Sequence, residues 1–168
     1  LGLEWLPDGR LLVCDAHRGL LAVDLADGGI EDRLATVDGA RLRFTNNAAV
    51  ASDGTVYFTD SSRHYGVDDW KSDLIAHTQT GRLFRRSPDG ELTTLLDGLA
   101  FANGVALTPD GSEVWVAETA RSCIRRLSVD GRDLGTIDGL PGYPDNIALG
   151  SDGLIWVAVA APPDPTLG

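Results

Sequence analysis

A repeated pattern of apolar segments and tight turns runs along the chain. Four times an apolar segment leads into an Asp-Gly pair, and a second segment rich in β-branched and aromatic residues follows. The pairs begin at Asp8, Asp53, Asp110 and Asp152, roughly 40 to 60 residues apart. An Asp-Gly pair suits a two-residue hairpin turn in which both residues have positive φ, because glycine adopts that region freely and aspartate tolerates it. Each unit is therefore predicted to contain a β-hairpin.

Two further strands are predicted after the hairpin in each of the first three units. They lie at 20–25 and 33–37, at 81–86 and 91–96, and at 123–129 and 134–140. Four strands per unit at this period is the pattern of a β-propeller blade. The fourth unit stops after two strands. The sequence thus predicts an all-β fold, a β-propeller of about three and a half four-stranded blades, with blades at 1–45, 46–102 and 103–144 and a half blade at 145–160.

The second unit is longer than the others because it carries an insert after Asp60. Within 68–77, the residues Trp70, Leu74 and Ile75 lie at roughly helical spacing. A short covering helix is therefore predicted in this insert.

The net charge of the chain limits the partners that it is expected to bind. The 168 residues include 25 acidic and 14 basic side chains, which gives a formal net charge of −11. Such a surface repels phosphate backbones and anionic lipid, so neither nucleic acid nor a membrane surface is an expected partner.

The two cysteines, Cys14 and Cys123, do not form a disulfide framework and are expected to be buried free thiols. The cytoplasm is the default location. Because the chain opens in a strand and contains no Met, its true N-terminus is expected to be missing.

The segments at 56–62, 95–107, 116–119 and 140–147 resemble the strictosidine synthase family. This family is one of a wider group of six-bladed propellers that includes gluconolactonases, regucalcin and paraoxonases. The resemblance runs across nearly the whole chain and keeps the family order of segments. It implies that a complete protein has six blades, of which this chain covers a little over half.

Polar residues stand at the start of the predicted innermost strands, which begin near one mouth of the channel in a propeller. These residues are Asn46, Asn103, Asp145 and Asn146. Amide and carboxylate oxygens gathered in a ring are the ligands that Ca²⁺ requires. The resemblance implies metal ligands at the same four positions, completed by a glutamate from an earlier blade that precedes this chain. The alternative is that these side chains only cap the backbone.

Asn47 departs from the pattern of the wider group, whose members commonly carry aspartate at this position. The departure puts in doubt a second, structural ion that such an aspartate would help to hold. The chain contains no Gly-x-Ser-x-Gly elbow, so a serine hydrolase of the α/β type is not indicated, and it contains no phosphate-binding Gly-Lys-Ser/Thr loop. No organic cofactor is expected.

Aromatic and histidine side chains near the same mouth are candidates for contact with a substrate. Phe101 and Tyr143 stand beside the converging polar residues, whereas His64 and Tyr65 follow the second strand of the second blade. The alternatives are packing between blades for the two former residues and an ordinary loop role for the two latter.

The ring of oxygen donors, together with the resemblance, favours an enzyme that acts on a small molecule by lactone or ester hydrolysis, assisted by Ca²⁺ or another divalent cation. Two alternatives remain open: a metal-free Pictet–Spengler condensation of an amine with an aldehyde, and a non-catalytic binding module. The resemblance implies that the synthase glutamate lies in a late blade beyond this chain, so no catalytic residue is assigned and the chain alone is expected to be inactive. Its exposed edges predict that it is a piece of a longer protein or pairs as a homo-oligomer.

Overall fold

The structure is a computed structural model that describes residues 1–162. The first sheet contains β1 (Leu3–Trp5), β2 (Leu11–Asp15), β3 (Gly19–Val23) and β4 (Ile30–Leu34). A short hairpin follows, formed by β5 (Thr36–Val37) and β6 (Ala40–Arg41). The second sheet contains β7 (Thr45–Val50), β8 (Val56–Asp60), β9 (Gly81–Arg86) and β10 (Leu92–Leu99). The third contains β11 (Ala102–Leu107), β12 (Glu113–Glu118), β13 (Cys123–Ser128) and β14 (Asp133–Ile137), and a final pair contains β15 (Pro144–Leu149) and β16 (Ile155–Val159).

Each four-stranded sheet is an antiparallel meander in which every strand pairs with the next strand along the chain. The β8–β9 connection holds a 3-10 turn at Val67–Asp69 and the helix α1 at Trp70–Ala76. This helix confirms the one predicted in the insert. The hairpin of β5 and β6 was not predicted, and the last strand of the first sheet begins at Ile30 rather than at residue 33.

The Asp-Gly turns differ from the predicted type. In the four pairs that begin at Asp8, Asp53, Asp110 and Asp152, only the glycines have positive φ, as at Gly9 (86°) and Gly54 (89°). Each aspartate instead accepts a hydrogen bond from a backbone N–H two residues later, for example from Thr55 N to Asp53 Oδ1 at 2.8 Å. The prediction that both residues have positive φ was therefore wrong: the aspartate is fixed by its own side chain, and glycine alone takes the left-handed position.

The first strands of successive sheets pack side by side, with β1 beside β7, β7 beside β11 and β11 beside β15. Gly104 permits the closest of these approaches, because a Cβ at this position would lie 2.3 Å from Ile147 N. The starts of β7, β11 and β15 consequently meet in one region. This arrangement confirms the predicted all-β fold of about three and a half propeller blades.

The hydrophobic core lies between neighbouring sheets. Phe58 of the second sheet stacks on Phe84 at a centroid distance of 4.9 Å, and both pack with Cys14 of the first sheet. Cys14 and Cys123 are buried free thiols, as predicted, and burial raises the pKa of each to about 12. These thiols therefore act as small apolar side chains.

The outer faces of the first and last sheets are uncovered. Trp5 is 60% exposed on the first sheet and Trp156 is 63% exposed on the last. Leu3 and Leu154 lie beside them and are exposed to a similar extent. Among the described residues, no helix has the length and apolar character needed to cross a membrane.

Candidate functional site

A pocket of about 320 Å³ lies where β7, β11 and β15 begin, and we call it the ring pocket. Its polar side is formed by Asn46, Asn103, Thr119, Asp145 and Asn146. Its apolar side includes Leu1, Phe44, Val67, Trp70 and Phe101. The pocket thus brings together all four predicted metal ligands. The chain has only four asparagines, three of which are among these ligands, and the fourth is Asn47.

Asn46 is oriented by a hydroxyl group at the end of the neighbouring strand β8. Its Nδ2 donates to Ser61 Oγ at 2.9 Å, and Ser61 Oγ in turn donates to the carbonyl oxygen of Ala102 at 2.6 Å. Because the hydroxyl proton is committed to that carbonyl, Ser61 can only accept from the amide. The amide nitrogen therefore faces Ser61, and Asn46 Oδ1 receives no hydrogen bond from residues 1–162.

Asn103 repeats this arrangement one sheet further along. Its Nδ2 donates to Thr119 Oγ1 at 3.2 Å, and Thr119 Oγ1 donates to the carbonyl oxygen of Pro144 at 2.8 Å. Asn103 is 5% exposed, and its Oδ1 is a buried acceptor without a donor in the described part of the chain. A buried polar atom without a partner is rare in native proteins and calls for an explanation, such as a bound ion or water.

Sequence reasoning missed both hydroxyl groups. Ser61 follows Asp60 and Thr119 follows Glu118, so each comes directly after the acidic residue that ends the second strand of its sheet. The first sheet has Ala16 at the corresponding position after β2. The signal was a serine or threonine recurring at one position of the repeat.

The acidic residues before these hydroxyls hold the backbone that leads into the inner strands. Asp60 is fully buried, and its Oδ1 accepts from Phe44 N at 2.8 Å while its Oδ2 accepts from Arg82 at 2.6 Å. Burial raises the pKa of the Asp60 carboxyl, and the hydrogen bond from Arg82 opposes that rise. Glu118 likewise accepts from Ala100 N at 2.7 Å. Each carboxylate fixes the segment from which an asparagine of the ring emerges.

The residues that β15 contributes to the ring pocket differ from those that β7 and β11 contribute. Asp145 is half-buried, and its carboxylate accepts no hydrogen bond from residues 1–162. Asn146 is exposed, and its Oδ1 accepts from Asn47 Nδ2 at 2.9 Å. Three of the four predicted ligands therefore present unengaged oxygens, and the fourth is shared with Asn47.

The predicted substrate-contacting residues separate into two groups. Phe101 lines the ring pocket, packs edge-on against Phe44 at a centroid distance of 5.4 Å and lies 6.4 Å from the Trp70 ring. His64 and Tyr65 lie in the turn after β8, where both backbone N–H groups donate to Ser62 Oγ at 3.1 Å. These two residues do not line the pocket.

Tyr143 also lies outside the lining of the ring pocket and is half-buried. Its backbone pairs with the end of the last strand, since its N–H donates to Ala161 O and its carbonyl accepts from Ala160 N, both at 2.9 Å. A role in substrate contact stays a prediction for Phe101, Tyr143, His64 and Tyr65 alike.

The donor set fits a hard cation better than zinc. Within residues 1–162, no three His, Cys, Asp or Glu side chains gather in a way that could hold a metal ion. The ring pocket offers instead neutral amide oxygens and one carboxylate, which are ligands of Ca²⁺. The unpaired Oδ1 of Asn103 is the observation that favours an ion at this position.

The amino-acid sequence of the chain is similar to the sequences of several known proteins. The sequence profile described as "SMP-30/Gluconolactonase/LRE-like region" matches residues 1–162. The adipocyte plasma membrane-associated protein of Salmo salar is 40% identical over 170 residues, which cover 96% of this chain and 41% of that protein. Strictosidine synthase-like protein 6 of Arabidopsis thaliana is 37% identical over 163 residues, which cover 95% of this chain and 43% of that protein. The chain thus spans less than half the length of these relatives.

Solved structures show the same architecture. A gluconolactonase from Xanthomonas campestris aligns with a TM-score of 0.74 at 26% identity, covering 94% of this chain and 55% of that structure. A regucalcin from Agrobacterium tumefaciens, described as a calcium-binding protein, aligns with a TM-score of 0.66 at 20% identity, covering 94% and 52%. These structures confirm the propeller fold. The sequence profile and the curated relatives confirm the resemblance to gluconolactonase-like and strictosidine synthase-like proteins.

Proposed function

The chain belongs to the SMP-30/gluconolactonase/LRE-like family, and on that premise we propose that it carries most of the cation site of a hydrolase acting on lactones or esters. Asn46, Asn103 and Asp145 would hold a divalent cation, with Asn146 as a further ligand, and Ca²⁺ is the ion that suits these oxygens. The observation that carries the proposal is the buried Oδ1 of Asn103, an acceptor left without a donor beside the ring pocket.

The chemistry that a cation would supply in this pocket is polarisation of a carbonyl group and stabilisation of the oxyanion formed when water attacks it. Asp145 is the only ionisable side chain that lines the pocket within the described residues. Among the residues of this chain, transfer of a proton from water therefore falls to the Asp145 carboxylate. Ser61 and Thr119 keep the amide oxygens turned away from their own hydroxyls and available to the pocket.

The apolar side of the pocket favours a substrate with a hydrophobic portion. Phe44, Phe101 and Trp70 form a connected aromatic group, and Val67 extends it from the insert of the second sheet. Water is poorly held on such a wall, whereas an aryl or alkyl group buries its surface there. We expect the full-length protein to prefer esters or lactones with aryl or alkyl substituents over polyhydroxylated sugar lactones.

Hydrolysis by the full-length protein tests the proposal. We expect an aryl ester or an alkyl-substituted lactone to be hydrolysed in the presence of Ca²⁺, and the activity to be lost in a calcium chelator and restored by added Ca²⁺. The Asn103→Ala variant should have little activity at any Ca²⁺ concentration. Hydrolysis that continues unchanged in the chelator would contradict the proposal.

A metal-free condensation of an amine with an aldehyde is the second candidate. Two observations favour it: the 37% identity to a strictosidine synthase-like protein, and the aromatic wall, on which an aryl-ethylamine could stack. Incubating the full-length protein with an aryl-ethylamine and an aldehyde distinguishes the two candidates, because a condensed product formed in chelator requires the second. A protein that gives neither product would support a non-catalytic binding module.

A further inference from the structure

A second cleft lies between the β5–β6 hairpin and the second sheet, and we propose that it binds a small tetrahedral oxyanion such as a phosphate or sulfate group. The cleft has a volume of about 480 Å³, and we call it the arginine cleft. Four arginines line it: Arg41, Arg43, Arg63 and Arg82. It shares no lining residue with the ring pocket.

The four arginines come from separate parts of the chain. Arg41 ends β6 and Arg43 precedes β7, Arg63 follows β8, and Arg82 belongs to β9. Arg41 and Arg43 also line an adjoining cleft of about 260 Å³. The fold thus gathers four of the 14 basic side chains at one place in a protein whose net charge is −11.

Nearby carboxylates compensate only part of this positive charge. Arg82 pairs with the buried Asp60 at 2.6 Å, and Arg63 pairs with Asp97 at the surface. Arg41 donates to a backbone carbonyl, that of His17.

Arg43 forms no ion pair with residues 1–162. Asp38 is the only acidic side chain that lines the cleft in the described part of the chain. Arg41 and Arg43 are therefore cations without a carboxylate partner, and they face a shared cleft.

Arg82 carries a donor that the described residues leave unused. The residue is 5% exposed, and one of its terminal nitrogens donates to Asp60. Its Nε, however, is buried and has no hydrogen-bond acceptor within residues 1–162. Because buried donors are normally satisfied, this N–H indicates that an acceptor such as a bound oxyanion or a water is needed beside Arg82, which lines the cleft.

Guanidinium groups select oxyanions over other anions. Each presents N–H donors in a planar fork that matches two oxygens of a phosphate, sulfate or carboxylate group, whereas a chloride ion accepts without that geometry. Several guanidinium groups around one cleft favour a dianion over a monoanion. The group that the cleft is expected to bind is therefore a tetrahedral dianion, either free in solution or attached to a larger ligand.

Binding of inorganic phosphate to the folded protein tests this proposal. Calorimetric titrations would compare phosphate with chloride at equal ionic strength, using the wild type, the double variant Arg41→Gln/Arg43→Gln and the control Arg132→Gln. Arg132 is likewise an exposed arginine without an ion pair in the described residues, but it lies in the turn between β13 and β14. Both variants should remain folded, because the three altered side chains are exposed and hold no carboxylate.

We expect saturable phosphate binding in the wild type and in Arg132→Gln, and at least a tenfold loss of affinity in the double variant. A phosphate monoester that binds more tightly than inorganic phosphate identifies a ligand-borne group, and equal affinities identify the free anion. Phosphate binding no stronger than that of chloride, or unchanged in the double variant, would overturn the proposal.

A local measurement complements the titration. Phenylglyoxal modifies accessible arginines, and mass spectrometry of the resulting peptides locates each modified residue. Phosphate should slow the modification of Arg41 and Arg43 and leave that of Arg132 unchanged. If all three arginines react at the same rate with and without phosphate, the cleft does not bind the anion.

Discussion

The hydroxyl of Thr119 fixes the orientation of the Asn103 amide, which lines the ring pocket. Thr119 Oγ1 donates its proton to Pro144 O at 2.8 Å, so it can meet Asn103 only as an acceptor, and Asn103 Nδ2 donates to it at 3.2 Å. Asn103 Oδ1 is left buried and unpaired as a result. One threonine thus positions an oxygen that the proposed cation site requires.

Replacing Thr119 tests this relationship. Thr119→Val keeps the shape of the side chain but removes the acceptor, so the Asn103 amide is free to turn and its oxygen is no longer held toward the pocket. We expect the Ca²⁺ affinity of the full-length protein to fall roughly 10- to 100-fold, the usual effect of removing a group that orients a metal ligand. The control Thr119→Ser retains the hydroxyl and should bind Ca²⁺ like the wild type. Equal affinity in the two variants would show that the hydroxyl has no orienting role.

Replacing Asn47 is expected to raise the Ca²⁺ affinity rather than lower it. In this structure the Asn47 amide donates a hydrogen bond to Asn146 Oδ1, one of the proposed ligand oxygens. Asn47→Asp removes that donor and adds a negative charge beside the ring pocket, and Ca²⁺ affinity rises with the number of charged ligands. We expect tighter Ca²⁺ binding by calorimetry. The control Thr94→Asp adds the same charge on β10, the outermost strand of the second sheet, and should change the affinity little. If the two variants bind alike, the effect of Asn47→Asp is not local.

The buried pair of Asp60 and Arg82 predicts a stability that depends on pH. Arg82→Gln leaves the buried Asp60 carboxylate without its cation, which costs about 3–5 kcal/mol when the carboxylate is charged. Burial already raises the folded-state pKa of Asp60 above its usual value, and losing Arg82 raises it further. The folded state then holds a proton that the unfolded state releases, so stability is lost as pH rises through the folded pKa.

Urea unfolding at pH 7 and at pH 4 measures this dependence. The stability difference between the wild type and Arg82→Gln should be larger at pH 7 than at pH 4. The exposed pair of Arg18 and Asp32 supplies a control, since Arg18→Gln should have a small effect at both pH values. A difference for Arg82→Gln that is equal at both pH values would show that ionisation of Asp60 does not govern the loss.

Trp5 and Trp156 predict self-association of the 168-residue chain. They lie on the uncovered faces of the first and last sheets, each more than half exposed. Apolar sheet faces of this kind are normally covered by another blade or chain. Light scattering should show oligomers that the double variant Trp5→Lys/Trp156→Lys disperses. Ile75→Lys is the control, because Ile75 is 67% exposed but belongs to α1 rather than to either sheet. A monomeric wild type would contradict this prediction.

Much of the fold follows from local sequence. The Asp-Gly pairs mark hairpins whose strands pair with their neighbours along the chain, so their order needs no long-range information. The hairpin of β5 and β6 escaped prediction because its strands have only two residues each. Two residues are too few to show a period of alternation.

The sequence predicts those residues of the candidate site that occupy the same position in successive repeats. Asn46 and Asn103 occupy the same position in successive repeats, and both line the ring pocket. The orienting role of Thr119 depends on a carbonyl of the following sheet, which the pattern within one repeat does not reveal. The arginine cleft has no such repeat at all, since Arg43 and Arg82 meet only through tertiary folding.

The most direct test of the central claim is a crystal structure of the full-length protein grown with Ca²⁺. We expect an anomalous peak in the ring pocket at about 2.3–2.6 Å from Asn103 Oδ1, the usual Ca²⁺–oxygen distance, with Asn46 and Asp145 also in contact with the ion. A ring pocket without such a peak, in which Asn103 Oδ1 accepts a hydrogen bond from water or from another blade, would contradict the claim.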